Sequence, residues 1–292
     1  MIDMKILVTG VGGQLGYDVM KELKKRGHTA VGSDVQGECD ILLDITDADA
    51  VGNTIKQTMP DAVIHCAAWT AVDMAEDMEE TVRAVNVNGT ANIAAACREA
   101  GCRMMYISTD YVFDGQGTEP WKPDCKNYMP LNVYGKTKLE GEQAVRDALE
   151  QYFIVRIAWV FGKNGKNFVR TMLNLGKKYD TLRVVNDQIG TPTYTADLAR
   201  LLADMIETEK YGTYHATNEG GYISWYDFAC EIFRQACYDT KVVPVTTEEY
   251  GLSKAARPSN SRMDKSKLTE MGFQTLPDWQ DALGRYLKEI EE

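Results

Sequence analysis

Tyr134 and Lys138 stand four residues apart in the segment PLNVYGKTKLEGE, a spacing that puts both side chains on one face of a helix. A phenol beside an ammonium is an acid/base pair. The positive charge favours phenolate and draws the tyrosine towards neutrality, where it can exchange a proton with a substrate oxygen. The spacing alone is cheap, because Tyr17 with Lys21 and Tyr250 with Lys254 repeat it. Position separates the three. Tyr17 falls in the helix after a glycine turn and Tyr250 follows the last regular strand and helix unit, whereas Tyr134 comes after an apolar run that ends in Ser108-Thr109-Asp110. A hydroxyl at the C-terminal edge of a parallel strand points into the crevice where ligands bind, so Thr109 joins Tyr134 and Lys138 as a candidate catalytic group. Capping of the strand end is the plainer reading of the same hydroxyls.

A second constellation lies at the start of the chain. Gly10, Gly13 and Gly16 follow the apolar run MKILVT and open a stretch with helical spacing. Glycines there permit a tight turn and a close backbone approach to a pyrophosphate, while the helix N-terminus offers free N–H groups and the positive end of its dipole. Asp34 ends the second apolar run, where a carboxylate can accept hydrogen bonds from a ribose; a turn residue is the alternative. No Lys or Arg occurs between Arg26 and Lys56, so nothing local would neutralise a 2′-phosphate. The expected cofactor is therefore NADH, with NADPH still open. Asp44 could reach an adenine or cap a helix. The small Cys66-Ala67-Ala68 segment suits either passage beside a dinucleotide or simple close packing.

These residues need a frame. Met4–Thr9, Thr29–Ser33 with Asp34, Ala62–Cys66, Arg103–Ser108 and Tyr152–Ala158 read as strands, and Leu15–Lys25, Asp49–Met59, Ala84–Ala100 and Thr137–Leu149 as helices. Alternating β and α segments with near-continuous apolar strands predict an α/β, doubly wound parallel-sheet Rossmann fold. After residue 158, Gly, Asn, Pro and aromatic residues interrupt the pattern in FGKNGKNF and NDQIGTPTYT, where substrate loops are expected. Helical segments return at Ala196–Glu207, Trp225–Cys237 and Asp278–Ile290. The domains expected are 1–158 for the dinucleotide, with returning segments near 190–220, and a smaller interleaved C-terminal lobe over 159–292 for the substrate.

Composition narrows the class. The 292 residues hold 32 Lys plus Arg against 43 Asp plus Glu, a net charge of -11, the opposite of a global nucleic-acid binder. The hydrophobic 44% and charged 26% are those of a globular chain. The longest stretch without charge, Ala84 to Cys97, contains three Asn and a Thr, and residues 1–20 have no secretory pattern, so neither a membrane span nor export is expected. Seven Cys without a CxxC pair and three scattered His argue for reduced thiols in a cytoplasm and against a metal site. An acidic amphipathic face at 196–207 would serve a homodimer or simply face water.

The same residues belong to eight segments spread over the whole chain: TGVGGQLG (9–16), HCAAWTAVDMAE (65–76), NVNGT (86–90), STDYVFDG (108–115), PLNVYGKTKLEGE (130–142), RIAWVFG (156–162), DQIGTPTYT (187–195) and ARPSNSR (256–262). Together they resemble the extended short-chain dehydrogenase/reductases and, more narrowly, the dTDP-4-dehydrorhamnose reductase family. The resemblance implies NAD(P)H-dependent reduction of the C4 ketone of a nucleotide sugar, dTDP-4-dehydro-L-rhamnose, for polysaccharide biosynthesis. It makes Tyr134 the proton donor, Lys138 its partner at the nicotinamide ribose, and Thr109 with Asp110 contacts to the sugar. It makes Trp159 an aromatic platform and brings Arg257, Asn260 and Arg262 to the nucleotide diphosphate, an ion-pair role remaining open for the arginines. On the cofactor side it implicates Gly10, Gly12, Gly13, Gln14, Leu15 and Gly16, then Asp34, Asp44 and Ile45, then Ala67, Ala68 and Thr70. Members accept either nicotinamide, which tempers the argument from Asp34. A nucleotide-sugar epimerase and a non-catalytic reductase-like subunit are the alternatives; a dehydratase would resemble Thr-Asp-Glu where this chain has Thr109-Asp110-Tyr111. With so acidic a chain, diphosphate binding is expected to depend on local devices, with basic groups gathered in one cleft.

Overall fold

A computed structural model describes residues 3–291. The first half alternates: β1 (Lys5–Thr9), α1 (Gln14–Lys25), β2 (Thr29–Asp34), β3 (Ile41–Leu42), α2 (Ala48–Thr58), β4 (Ala62–His65), the short α3 (Val72–Ala75) and α4 (Glu79–Arg83), α5 (Thr90–Ala100), β5 (Arg103–Thr109), α6 (Val133–Ala148) and β6 (Tyr152–Ile157). The second half is more broken: β7 (Val160–Phe161), α7 (Phe168–Gly176), β8 (Thr181–Val185), β9 (Ile189–Gly190), β10 (Thr193–Tyr194), α8 (Thr195–Ile206), β11 (Gly212–His215), β12 (Ile223–Ser224), α9 (Trp225–Gln235), β13 (Lys241–Val245), α10 (Thr247–Tyr250), α11 (Ser266–Glu270) and α12 (Trp279–Glu291).

Seven strands form one sheet in the order β11-β6-β5-β4-β1-β2-β3, with every pairing parallel. Parallel strands need crossover helices on their faces, and so bury both. On β1, Ile6 and Val8 join α1 and α8 in one core, whereas Leu7 between them joins α2 and α5 in the other. A third core, built on Phe161, Phe228, Trp279 and Tyr286, holds α7, α9 and α12 together. The chain reverses direction across the sheet between β1 and β4, the switch point at which open α/β sheets bind ligands.

Two differences from the sequence reading have local causes. Helix α6 begins at Val133 rather than Thr137, because the Asn132 side chain accepts a hydrogen bond from the Gly135 N–H at 2.8 Å and caps it. The single helix expected over Ala84–Ala100 opens instead with a π turn, Ala84–Gly89. The cause lies in Asn86, whose side chain exchanges hydrogen bonds with the Trp69 backbone while Thr90 Oγ1 donates to the Asn86 carbonyl. Residues 195–215 return to the first layer, α8 packing on α1 and β11 pairing with β6. The apolar face of α8 is thereby buried, with Leu198, Leu201, Leu202 and Ile206 all enclosed. Among the described residues no helix is long and apolar enough to cross a membrane.

Helix α6 lies unusually close to β5. A methyl group at Gly135 would strike the Tyr111 carbonyl, and one at Gly141 would strike the Tyr106 hydroxyl. Side chains are excluded from that interface so that others on the helix can reach the sheet. Gly135→Ala is expected to lower stability by about 1–3 kcal/mol through overpacking, read as a reduced urea midpoint; an unchanged midpoint would show that the contact relaxes freely.

Candidate active site

A cavity of about 930 Å³ opens at the C-terminal ends of β1, β2, β4, β5 and β6, so that Thr9, Ser33, Cys66, Thr109 and Ile157 all reach it. Its floor at one end is the glycine turn. Gly10 has φ +73°, a left-handed conformation that favours glycine, and a methyl group there would lie 2.6 Å from the Ala67 N. Helix α1 starts after Gly13 with no side chain capping it, so its first N–H groups are open to an anion. Gln14, Leu15 and Gly16 line the cavity beside them. The Asp34 carboxylate closes this end, accepting from the Gly12 N–H at 2.9 Å and the Val35 N–H at 2.7 Å, and it forms no ion pair among the described residues. Asp44, Ile45, Ala67, Ala68 and Thr70 line the same space. An uncapped helix N-terminus, a cradle too narrow for side chains and a carboxylate at the end of β2 are together the donor and acceptor set that a dinucleotide requires.

The other end carries the acid/base groups. Tyr134 lies in the first turn of α6, with its ring edge-on to Tyr111 at 5.7 Å. Burial pushes its phenol above the ordinary value, and a hydrogen bond with Thr109 works against that shift. Thr109 Oγ1 donates to Asp110 Oδ1 at 2.9 Å. Asp110 is enclosed, and burial pushes its carboxyl up to about 6 against the pull of its hydrogen bonds. Lys138 is also enclosed. Its Nζ donates to the Ile107 carbonyl at 2.7 Å and lies 4.1 Å from the centre of the Tyr106 ring. Burial pulls this ammonium down to about 7, with Glu142 opposing the shift. The expected lowering of the tyrosine is thus reversed in this structure: the phenol is a firmly protonated hydroxyl, and the lysine turns to a carbonyl.

Trp159 follows β6 with φ +51°, a strained conformation for a bulky residue. The turn is held from β10, where Thr193 N and Oγ1 donate to the carbonyls of Trp159 and Ala158 at 3.1 and 2.6 Å. One face of its indole is covered by Trp225, the ring centroids 3.7 Å apart, so at most one face is free for a sugar.

Three expected substrate residues stand outside the cavity. Arg257 donates to Tyr111 Oη at 3.3 Å and to Asp73 Oδ2 at 2.8 Å, one side chain behind the wall. Asn260 is enclosed and donates to the carbonyls of Gln116 and Glu119, while Arg262 donates to Asn260 Oδ1. The expected basic cleft is therefore not formed. Among the described residues lining the cavity, Lys138 is the one cation against the carboxylates of Asp34, Asp44, Glu80 and Asp110, and Arg257 is paired with Asp73. The loop expected to hold substrate at 162–168 leans on the glycine turn instead, Asn164 Nδ2 donating to the Gly12 carbonyl at 2.8 Å and Asn167 Nδ2 to Gln14 Oε1 at 3.0 Å. Among the described residues no three His, Cys, Asp or Glu side chains gather to hold a metal.

Comparison with known proteins bears on this geometry. The family model described as the RmlD substrate binding domain matches residues 4–292. A dTDP-4-dehydrorhamnose reductase of Streptomyces griseus is 42% identical over 285 residues, which is 95% of this chain and 91% of the relative. A solved dTDP-4-dehydrorhamnose reductase of Clostridium acetobutylicum superimposes with a TM-score of 0.94 at 44% identity, over 99% of this chain and all of the other. One from Bacillus anthracis, in complex with NADP, gives 0.93 at 41% identity with the same coverage.

The sequence reading missed Tyr111 and Trp225, which line the cavity. Tyr111 directly follows Thr109-Asp110 and was readable there. Trp225 had no such signal, because it arrives from α9 across the fold. Trp225→Ala should cost at least the about 0.5–1.5 kcal/mol of aromatic stacking and shift tryptophan emission to the red; an unchanged spectrum and midpoint would refute the stacking.

Proposed function

The chain belongs to the family of the RmlD substrate binding domain, and on that footing we propose that it reduces the C4 ketone of dTDP-4-dehydro-L-rhamnose to dTDP-L-rhamnose with a reduced nicotinamide cofactor. The observation that carries this reading is Tyr134, half-buried and hydrogen-bonded with Thr109 in the same cavity as the glycine turn. Reduction of a ketone needs an acid at its oxygen, and the Tyr134 hydroxyl, protonated near neutrality, stands beside Thr109 to supply it.

Bound in this cleft, a reduced nicotinamide supplies the reducing equivalent to the carbonyl carbon. The chain does the rest. N–H groups at the start of α1 take the pyrophosphate, and Asp34 accepts from the adenosine ribose. Thr109 orients the ketone oxygen, and Tyr134 gives it the proton as charge develops there. The Lys138 ammonium then offsets the phenolate left on Tyr134. Residues 1–158 hold the cofactor in this reading, while 159–292 shape the sugar end through Trp159 and Trp225. Arg257 reaches a substrate phosphate only by leaving Asp73. The preferred cofactor is NADH, because the Asp34 carboxylate would repel a 2′-phosphate. The NADP bound by the Bacillus anthracis relative makes that preference one of degree. The proposed place of action is the cytoplasm.

The decisive assay supplies dTDP-4-dehydro-L-rhamnose and follows the loss of NADH and NADPH absorbance in parallel. Turnover without net loss of reduced cofactor would point to an epimerase instead. Tyr134→Phe should lower turnover by about 10²–10⁴-fold with cofactor affinity retained, and near-normal turnover would remove Tyr134 from the mechanism. Asp34→Ala should narrow the preference for NADH; a constant NADH to NADPH ratio would reduce Asp34 to a turn residue.

A further inference from the structure

We propose that Glu142 is a positioning residue for this site: clamped to β5 and β6 by Ser108 and Arg156, it fixes the register of α6 and holds a carboxylate one helical turn from Lys138. The proposal rests on the reading of Tyr134 and Lys138 given above.

Glu142 continues the four-residue spacing of Tyr134 and Lys138 along α6 and is wholly enclosed. Its Oε1 accepts from Ser108 Oγ at 2.6 Å and from Arg156 Nε at 2.8 Å. Its Oε2 accepts from Arg156 Nη2 and Arg146 Nη2, each at 2.8 Å. Ser108 is the residue before Thr109, so one carboxylate ties the helix of the proton donor to the strand end that orients the substrate. Arg156, also wholly enclosed, stands in the otherwise apolar β6. Its remaining groups are used too, Nη2 donating to Tyr128 Oη at 2.9 Å and Nη1 lying 3.3 Å from His215 Nε2. Desolvating two charges is costly, and an apolar pair of similar volume often serves stability as well or better. Packing alone therefore does not account for an ion pair at this spot.

The groups around Lys138 can be enumerated by element. From β4 come His65 and Cys66; burial pulls the imidazole down to about 3 and pushes the thiol up to about 12, so both are uncharged near neutrality. From β5 comes the Tyr106 ring, and from the π turn the uncharged Asn86, which bonds Thr137. From α6 itself come Tyr134 and Glu142, with Arg146 beyond. Asp110, past Tyr134, titrates at about 6 and is ionised at higher pH. Against the outer side of α6, Arg83 pairs with Glu140, Lys136 with Glu79, and Glu76 accepts from the Val133 N–H. Glu142 is thus the carboxylate that opposes the desolvation of Lys138.

The test is an NMR titration of the Lys138 side chain in the ligand-free protein, assigned with Lys138→Arg, alongside the pH profile of kcat/KM. In Glu142→Gln the Lys138 midpoint should fall by about one pH unit or more, and the alkaline limb of the profile should fall with it. The double variant Glu142→Gln with Arg156→Met removes both buried charges, which protects folding, and should shift the midpoint in the same direction. Arg156→Met alone keeps the carboxylate and should hold the midpoint at or above that of the parent. An unmoved midpoint in both glutamine variants, or a fall in Arg156→Met, would overturn the proposal. A midpoint that falls while the profile stays put would support the hold of Glu142 on Lys138 and count against Lys138 in proton delivery.

Discussion

The close seat of α6 on β5 is the contact on which the site depends. Gly135 and Gly141 let the helix approach until backbone and the Tyr106 hydroxyl are in contact. At that distance side chains on the inner face of the helix reach the carbonyl of Ile107 and the hydroxyl of Ser108 rather than water. The same approach encloses Lys138 and Glu142 and half-buries Tyr134, and desolvation is the largest cause of the shifts at Tyr134 and Lys138. The placing of these side chains and their desolvation thus have one origin, the absence of two side chains. Asn132 at the N-cap sets where the helix begins, and so which residue occupies its first turn.

Charge follows a different logic at each end of the cavity. A chain of net charge -11 cannot draw a diphosphate by its overall field, and the cavity wall does not compensate with a cluster of cations. Uncapped N–H groups at the start of α1, held ready by backbone alone, offer the anion site that the wall lacks. The cations near the site are spent on carboxylates: Arg257 on Asp73, and Arg156 on Glu142. Such pairs position neighbouring groups and leave little net positive potential, so selectivity rests on shape and hydrogen-bond geometry.

Much of this was legible from order and spacing. Apolar runs alternating with helical periodicity specify a parallel sheet because only crossover helices can join parallel strands. The glycine turn, Asp34, Thr109, Tyr134 and Lys138 were locatable because each lies at a strand end or in the turn after one, and strand ends of one sheet share an edge. The second lobe was not readable in the same way. Its short strands β7, β9, β10 and β12 are two residues each, too short to show a period, and they exist because distant segments meet.

Amino-acid sequence by itself determined the fold class, the glycine turn and the placing of Tyr134 and Lys138 on one helix face, since these depend on local spacing that any chain with this pattern repeats. Tertiary structure alone decided how those groups are charged and what surrounds them. It placed Trp225 against Trp159, withdrew Arg257 and Arg262 from the cavity wall, and set Arg156 of β6 against Glu142 of α6. The physical reason is that pairing and desolvation depend on distance in space. Residues 14 or 66 positions apart come into contact only when helices and strands pack, and no periodicity within either segment records which partner it will meet.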